Sequence, residues 1–492
     1  MSYLNETKVN NIKSSAFGEV LTAEITPIVQ IINQYGIDPT NRNDLETYTD
    51  TISSGSVSSN NNLFEVQNGT SIGGYGVIRS KDFVIYGAGQ GLEAKFSACF
   101  TTGVANSLQF GGMFSLTETI AFGYDGANFS IIHEYGGKAE IQEIQVTTTA
   151  GTETGTVTVG VDIITVNHTI AGTLQDTAHE IEDALANDAT FSSKWNIEHV
   201  GDTVVISSKS VGDKTGTFSY SSTGTAVASF TEVTAGVAKT NNYVAQSAWD
   251  KPTPFAGFDP TLINLYKIQY AYLGVATLKF LIYDPILVDY VQVHQMPFSN
   301  VSATQTNVGN PNMKIGWIAY SLGSTTNLTV RGASLAMAVE GKNIVKNTSF
   351  GSSNTVASIG TTGSIILALK NRNTFGKIYN LSKIEPLNAS INNDHTKGAI
   401  IEIIKDITLV GDTIYEYIEE NNSVAIVEKS GLTYTGGRVI ESFTVASGGS
   451  VDIELAKLNI ELLPNEILII FAKTISGTAT SMTGTMAWME EK

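Results

Sequence analysis

The sequence predicts an all-β protein: tandem β-sandwich or jelly-roll domains, with a small α+β, Ig-like domain inserted in the first. Three observations carry this expectation. Charged residues are only 15% of the chain, against about 25% in an average globular domain, and Thr, Ser, Asn and 46 Gly take their place. Apolar residues recur with period two over short runs, the pattern of half-buried strands. Turn-forming residues punctuate those runs at close intervals, as in sandwiches and jelly rolls.

Taken in order, residues 1–60 begin polar, pass through the β-leaning FGEVLTAEITPIVQIINQYGI, and continue as DPTNRNDLETYTDTISSGSVSSNNN. The stretch reads as an N-terminal arm or attachment segment. Strands follow in NLFEVQNG, GYGVIRSK, EAKFSACFTTG, QFGGMFSL and TIAFGYDGANFSIIHEYGG. In the last of these, Asp125-Gly126 between alternating apolar residues predicts a hairpin. Residues 61–138 and 242–346 have matched texture and are expected to form one discontinuous β-sandwich. Trp195, Trp317 and Trp488 alternate with apolar neighbours and are expected in cores.

Residues 139–241 differ from both flanks. They hold 4 Lys/Arg and 13 Asp/Glu, a net of −9. They also contain the one convincing helix pattern, TAHEIEDALANDATF, with Asp176 or Thr177 as its cap, Glu180 in a capping box, and Ala178, Ile181, Ala184 and Leu185 as its apolar stripe. This is an inserted acidic domain, expected to project into solvent. Residues 347–363, NTSFGSSNTVASIGTTG, read as a linker, and 364–492 as a C-terminal β-sandwich of short strands.

The formal charge, 29 − 47 = −18, repels phosphate and excludes nucleic acid as an expected partner. No apolar run approaches the roughly 18 residues of a membrane span, and the first residues have no apolar core of signal-peptide length. Synthesis in a cytoplasm without membrane insertion is expected. The single cysteine, Cys99, excludes an internal disulfide framework and reads as a small buried hydrophobe.

No catalytic constellation emerges. The 6 histidines show no H-x-x-x-H or H-x-H spacing. His179 and Asp183 stand at i, i+4, a pair that can hold a metal in principle, but they read as two polar residues on a helix's solvent face. Asp162, Asp176, Glu180, Glu182 and Asp183 are candidates for a Ca²⁺ site, yet no D-x-D-x-D-G loop organises them. Gly87, Gly89 and Gly91 are wrongly spaced for a nucleotide loop, and Gly212 to Thr215 imitates only the end of a P-loop. Glu419-Glu420 and Glu490-Glu491 read as solvated charge. No catalytic residue, cofactor or metal is therefore expected, and the chain is expected not to be an enzyme. One surface stands out: Trp249, Phe255 and Phe258, with Tyr243 nearby, lie in the Pro-constrained NYVAQSAWDKPTPFAGFDP. Such a loop can stack on sugar rings or clasp neighbouring domains.

The segments FGEVLTAEITPIVQIINQYGIDP, GQGLEAKFSACFTTGVANSLQFGGMF and IAFGYDGANFSIIHEYGG resemble a recurrent module of virion structural proteins of tailed bacteriophages and some large DNA viruses. The middle segment, from VTVGVDIITVN to TGTFSYSSTGTAVASFTEVTAGVA, resembles the small β-rich insert that such modules carry. NPNMKIGWIAYSLGSTTNLTVRGASLAMAVEG and the region from SIILALKN onward are similar in the same sense. The resemblance implies a non-enzymatic virion protein: a fibre, spike or decoration protein on capsid or tail, with other virion proteins as partners. A homo-oligomer is expected, a trimer by the habit of viral fibres, formed through the C-terminal unit and the 1–60 arm. The alternatives are a receptor- or glycan-binding adhesin that contacts a host surface glycan, and a glycan-depolymerising tailspike.

Overall fold

In the computed structural model, the described residues are 25–33, 36–37, 47–149, 153–160, 163–170, 172–271, 273–341, 347–394, 397–477 and 480–492. Almost all regular structure among them is β-strand, in antiparallel ladders, as the composition predicts. The chain divides into two units: Met1–Gly137 with Lys239–Val345, and Lys138–Ala238 with Lys346–Lys492.

The first unit is a sandwich of two sheets. One runs in the order Asp289–Met296, Leu278–Asp284, Asn264–Ala271, Gly91–Phe100, Thr329–Gly332, Leu63–Gln67 and Ser56–Asn60. Ser334–Glu340 also pairs with Gly91–Phe100 and carries Ile25–Ile32 on its other side. The second sheet runs Thr240–Asn241, Asn128–Tyr135, Thr119–Asp125, Ser107–Phe114, Lys314–Ser321, Tyr75–Ser80 and Thr47–Ile52. Rings from both sheets meet between them: Phe122 lies 4.9 Å from Tyr266 and 5.5 Å from Phe280. Trp317 is fully buried and donates its indole N–H to the Ser97 carbonyl at 3.1 Å. Its ring occupies the space that a side chain at 332 would need, since a Cβ on Gly332 would come within 2.2 Å of it.

The Asp125-Gly126 hairpin forms as predicted. Asp125 pairs with Asn128, and Gly126 takes a φ of 58° at the first loop position, the conformation that primed hairpin turns require. The 1–60 arm needs correction where it is described. Ile25–Ile32, Thr47–Ile52 and Ser56–Asn60 are strands of the two sheets, with Val29, Ile31 and Val57 in the core. Their short apolar alternation recruits them into ladders despite the polar segments around them. Residues 1–24 and 38–46 lie outside the described residues.

In the second unit, residues 347–492 build a sandwich of two sheets. One is ordered Tyr415–Tyr417, Ala425–Glu428, Ser364–Asn371, Ile467–Thr474, Ala399–Val410 and Thr433–Val445. The other is ordered Asn347–Ile359, Thr480–Glu491, Lys383–Asn393 and Ser450–Ile453. The expected linker over 347–363 is thus a strand for most of its length, paired from Asn347↔Glu491 to Ile359↔Thr480. Its Ser/Thr/Val alternation half-buries one face, which turns Phe350 and Val356 onto the core. Glu490 is likewise buried rather than solvated: it accepts from Ser423, from Val424 N–H at 2.9 Å and from the Trp488 indole at 3.1 Å. Burial pushes Glu491 up to about 7.

Residues 138–238 form a four-stranded and a three-stranded sheet with the helix α1 (Leu174–Ala186) and the short α2 (Ala189–Lys194). Helix α1 starts earlier than the pattern predicts. Thr173 is the cap, and its hydroxyl accepts from Asp176 N–H at 3.1 Å, so Asp176 serves the first turn. Three of the four residues of the predicted stripe, Ala178, Ile181 and Leu185, are fully buried and pack with Phe191 and Trp195, while Ala184 is half-buried. This segment packs on the C-terminal sandwich. Gly201 N–H donates to the Tyr415 carbonyl at 3.1 Å, Val200 joins Tyr415 and Ile426 in one apolar cluster, and Glu198 accepts from Asn373 N–H at 3.2 Å. The face of the insert that carries these contacts is therefore covered.

Candidate functional site

Two groups of residues bear on function: the aromatic loop of the first unit and a histidine–carboxylate cluster in the second. The loop lies against the strand Asp289–Met296. Lys251 N–H donates to the Val293 carbonyl at 2.9 Å, Gln295 N–H donates to Asp250 at 3.1 Å, and His294 Nδ1 accepts from Asp250 N–H at 3.3 Å. These contacts aim the rings inward. Trp249 is 3% exposed, donates its indole N–H to the Val244 carbonyl at 2.9 Å, and packs against Phe122 and Phe129 at 5.8 and 5.7 Å. Phe255 and Phe258 are half-buried against the same core and stack edge-on at 5.6 Å. The Tyr243 hydroxyl donates to Glu134, whose carboxylate also pairs with Lys239 at 2.8 Å. Burial and the Glu134 charge push the Tyr243 phenol up, so it stays neutral and donating. The flat face a stacked sugar needs is, at Trp249, occupied by the protein's own aromatic rings.

The second group begins on α1. Its helical spacing places His179, Glu182 and Asp183 within one turn, and the strand Trp195–Val200 carries His199 alongside. The rings of His179 and His199 are 5.3 Å apart. His199 Nδ1 and Glu182 share a short hydrogen bond. One ring nitrogen of each histidine and a Glu182 oxygen lie within 4.8 Å of one another. His179 Nε2 faces Asp183 at 3.5 Å and Asp412 at 3.7 Å, and its Nδ1 lies 3.4 Å from the Thr413 hydroxyl. Asp412 and Thr413 come from the C-terminal sandwich, in the turn before Tyr415–Tyr417.

Beneath this group, Lys370 reaches toward Glu198 at 3.8 Å and sits 4.9 Å over the Tyr415 ring. Burial opposes its charge, but Tyr415, Glu198 and Glu182 outweigh burial and raise its pKa. Burial also opposes charge on Glu182; the His199 hydrogen bond, with His199 and Lys370 nearby, overcomes it and holds that carboxyl below its usual range. Tyr415 is pushed up to about 12, chiefly by burial.

The sequence placed His179 and Asp183 on a solvent-facing surface, and this needs correction for one of the two. His179 is buried, while Asp183 is exposed. His199 carries no local sequence signal of a site. It lies in W-x-I-x-H-V beyond α2, and only the tertiary fold brings it to α1. Of the residues weighed for calcium, Asp162 lies outside the described residues, and Glu182 turns toward His199. Cys99 is buried as expected, with its thiol pushed up by burial.

The sequence matches no known family profile and no curated protein. Among solved structures, the chain is similar to a legume lectin-like domain from Entamoeba histolytica, with 11% identity over 62% of this chain and 95% of that one, at a TM-score of 0.25. It is similar to lectin I from Ulex europaeus, with 9% identity over 63% and 97%, at a TM-score of 0.23. It is also similar to a structure of infectious bursal disease virus, with 9% identity over 83% and 77%, at a TM-score of 0.18. The protein is all-β, built of stacked antiparallel sheets, with two short α-helices among the described residues.

Proposed function

We propose that this chain is a non-enzymatic structural component of a virus particle, an oligomeric fibre, spike or decoration protein on capsid or tail. One observation carries the reading: two 13-residue strands of the second unit stand at sheet edges. Asn347–Ile359 ends its sheet and contains no charged residue, and Thr433–Val445 ends the other with Arg438 and Glu441 as its only charges. Long edges without closely spaced Lys or Pro are templates for pairing with another chain. A protein that presents such edges at high local concentration is suited to ordered assembly with copies of itself. The ladders also lock backbone donors and acceptors, which favours persistence outside a cell. The rival glycan-binding reading drew on the aromatic loop, whose central indole is buried.

Light-scattering mass of the purified full chain tests the proposal. An oligomer, expected as a trimer, is the supporting result, and a stable monomer at micromolar concentration overturns it. Val439, half-exposed on the edge strand Thr433–Val445, is the position to perturb. Val439→Lys is expected to lower the oligomer mass while leaving the far-ultraviolet circular dichroism unchanged.

A further inference from the structure

We propose that His179, Glu182 and His199 form a binding site for a divalent first-row transition cation of the zinc class, with Asp412 or Asp183 completing the coordination. The donor set carries the argument. Two imidazoles and a carboxylate oxygen already lie within 4.8 Å of one another. Zinc bonds of about 2.0–2.1 Å set neighbouring ligand atoms of a tetrahedron roughly 3.3 Å apart, so rotamer adjustments of about an ångström gather them. Two further carboxylates, Asp183 and Asp412, flank His179 Nε2 at 3.5 and 3.7 Å. Imidazole nitrogen selects zinc-class ions over Ca²⁺ and Mg²⁺, which take oxygen.

His199 is fully buried and meets the cluster through Nδ1, which shares its hydrogen bond with Glu182. A cation held by both takes the place of the proton that the pair now shares, so two ligand atoms already stand side by side. Lys370, the cation whose charge reaches Glu182, is directed at Glu198 and the Tyr415 ring rather than into the cluster.

The site's role follows from where its ligands come from. His179, Glu182 and Asp183 belong to α1, His199 to the adjoining strand, and Asp412 to the C-terminal sandwich. A bound cation clips the acidic segment to that sandwich across a junction where the described residues otherwise supply a few hydrogen bonds, the Lys370–Glu198 ion pair and one small apolar cluster.

The test uses the tag-free full chain, stripped with chelator and titrated with Zn²⁺ alone. About one zinc per chain at micromolar affinity or tighter is expected, together with a rise in melting temperature that millimolar Ca²⁺ and Mg²⁺ do not reproduce. His179→Gln is expected to weaken binding at least about a hundredfold, since even residues behind the ligands cost 10–100-fold in affinity. Unchanged zinc affinity in a folded His179→Gln protein overturns the proposal, as does zinc bound at well under one per chain in the wild type. If His179→Gln does not fold, X-ray absorption on the zinc-loaded wild type decides. A first shell with two imidazoles supports the site, and an all-oxygen shell overturns it.

Discussion

Replacing Trp249 with alanine distinguishes a core residue from a ligand-facing one. The indole is 3% exposed, and two aromatic rings lie within 6 Å of its own centroid. Its N–H also satisfies the Val244 carbonyl. Truncating a buried Trp costs about 3–5 kcal/mol, through lost transfer energy and the cavity that remains. Part of that cost is the Val244 carbonyl left without its donor. For a unit in the range of about 150–250 residues, each kcal/mol lowers Tm by roughly 2–4 °C. The expected fall is therefore about 10 °C in the transition of the first unit. Differential scanning calorimetry of the full chain resolves it, and Trp249→Phe, which keeps most of the ring, is expected to recover more than half of the loss. A Trp249→Ala protein that melts within about 2 °C of the wild type would refute the reasoning. The indole would then be dispensable to the core and free to meet a ligand.

Two further perturbations probe the same sandwich. Gly332→Ala drives a methyl to within 2.2 Å of the buried Trp317 ring, and overpacking of this kind costs about 1–3 kcal/mol. A lower urea midpoint with an unchanged slope is expected. Glu118 is buried, accepts from Gly309 N–H at 3.0 Å, and is pushed up to about 7, mainly by burial. Because its folded pKa exceeds the unfolded value of about 4.5, the stability it contributes is full below pH 4.5 and lost as pH rises through 7. Glu118→Gln, neutral at every pH, is expected to be more stable than wild type at pH 8 than at pH 5 by up to about 3 kcal/mol. Equal pH dependence in the two proteins would show that the carboxyl ionises without penalty.

What the sequence made legible was local. The Asp125-Gly126 hairpin, the Ala178–Ile181–Leu185 stripe and the buried Trp195, Trp317 and Trp488 all follow from patterns a few residues long. What it hid depends on partners far along the chain. Asn347–Ile359 looks like a linker because Ser and Thr dominate it, and only its pairing with Thr480–Glu491 makes it a strand. Thr173 is hidden as the helix cap because the apolar period starts later than the helix itself. The histidine cluster has no sequence signature: His179 sits on a helix and His199 on a strand beyond a second helix, so their approach is set by packing rather than spacing. Glu490, near one end of the sequence, looked solvated for the same reason, its partners Ser423 and Val424 lying in a distant loop.

The ladder between Asn347–Ile359 and Thr480–Glu491 also bears on how the protein is made. Asn347 pairs with Glu491, so the opening strand of the C-terminal sandwich waits for its closing one. Thr480–Glu491 is an interior strand of its sheet, flanked on the other side by Lys383–Asn393. Until it leaves the ribosome, both neighbours have unmet backbone groups and Trp488 is missing from the core between the sheets. Closing so long a loop makes this step slow compared with hairpin formation. A chain cut short of Thr480 leaves an open sheet, which is open to proteolysis and aggregation. Completion of the C-terminal sandwich therefore hangs on Thr480–Glu491: a chain that lacks it cannot complete the sheet whose outer edge is proposed to join the assembly.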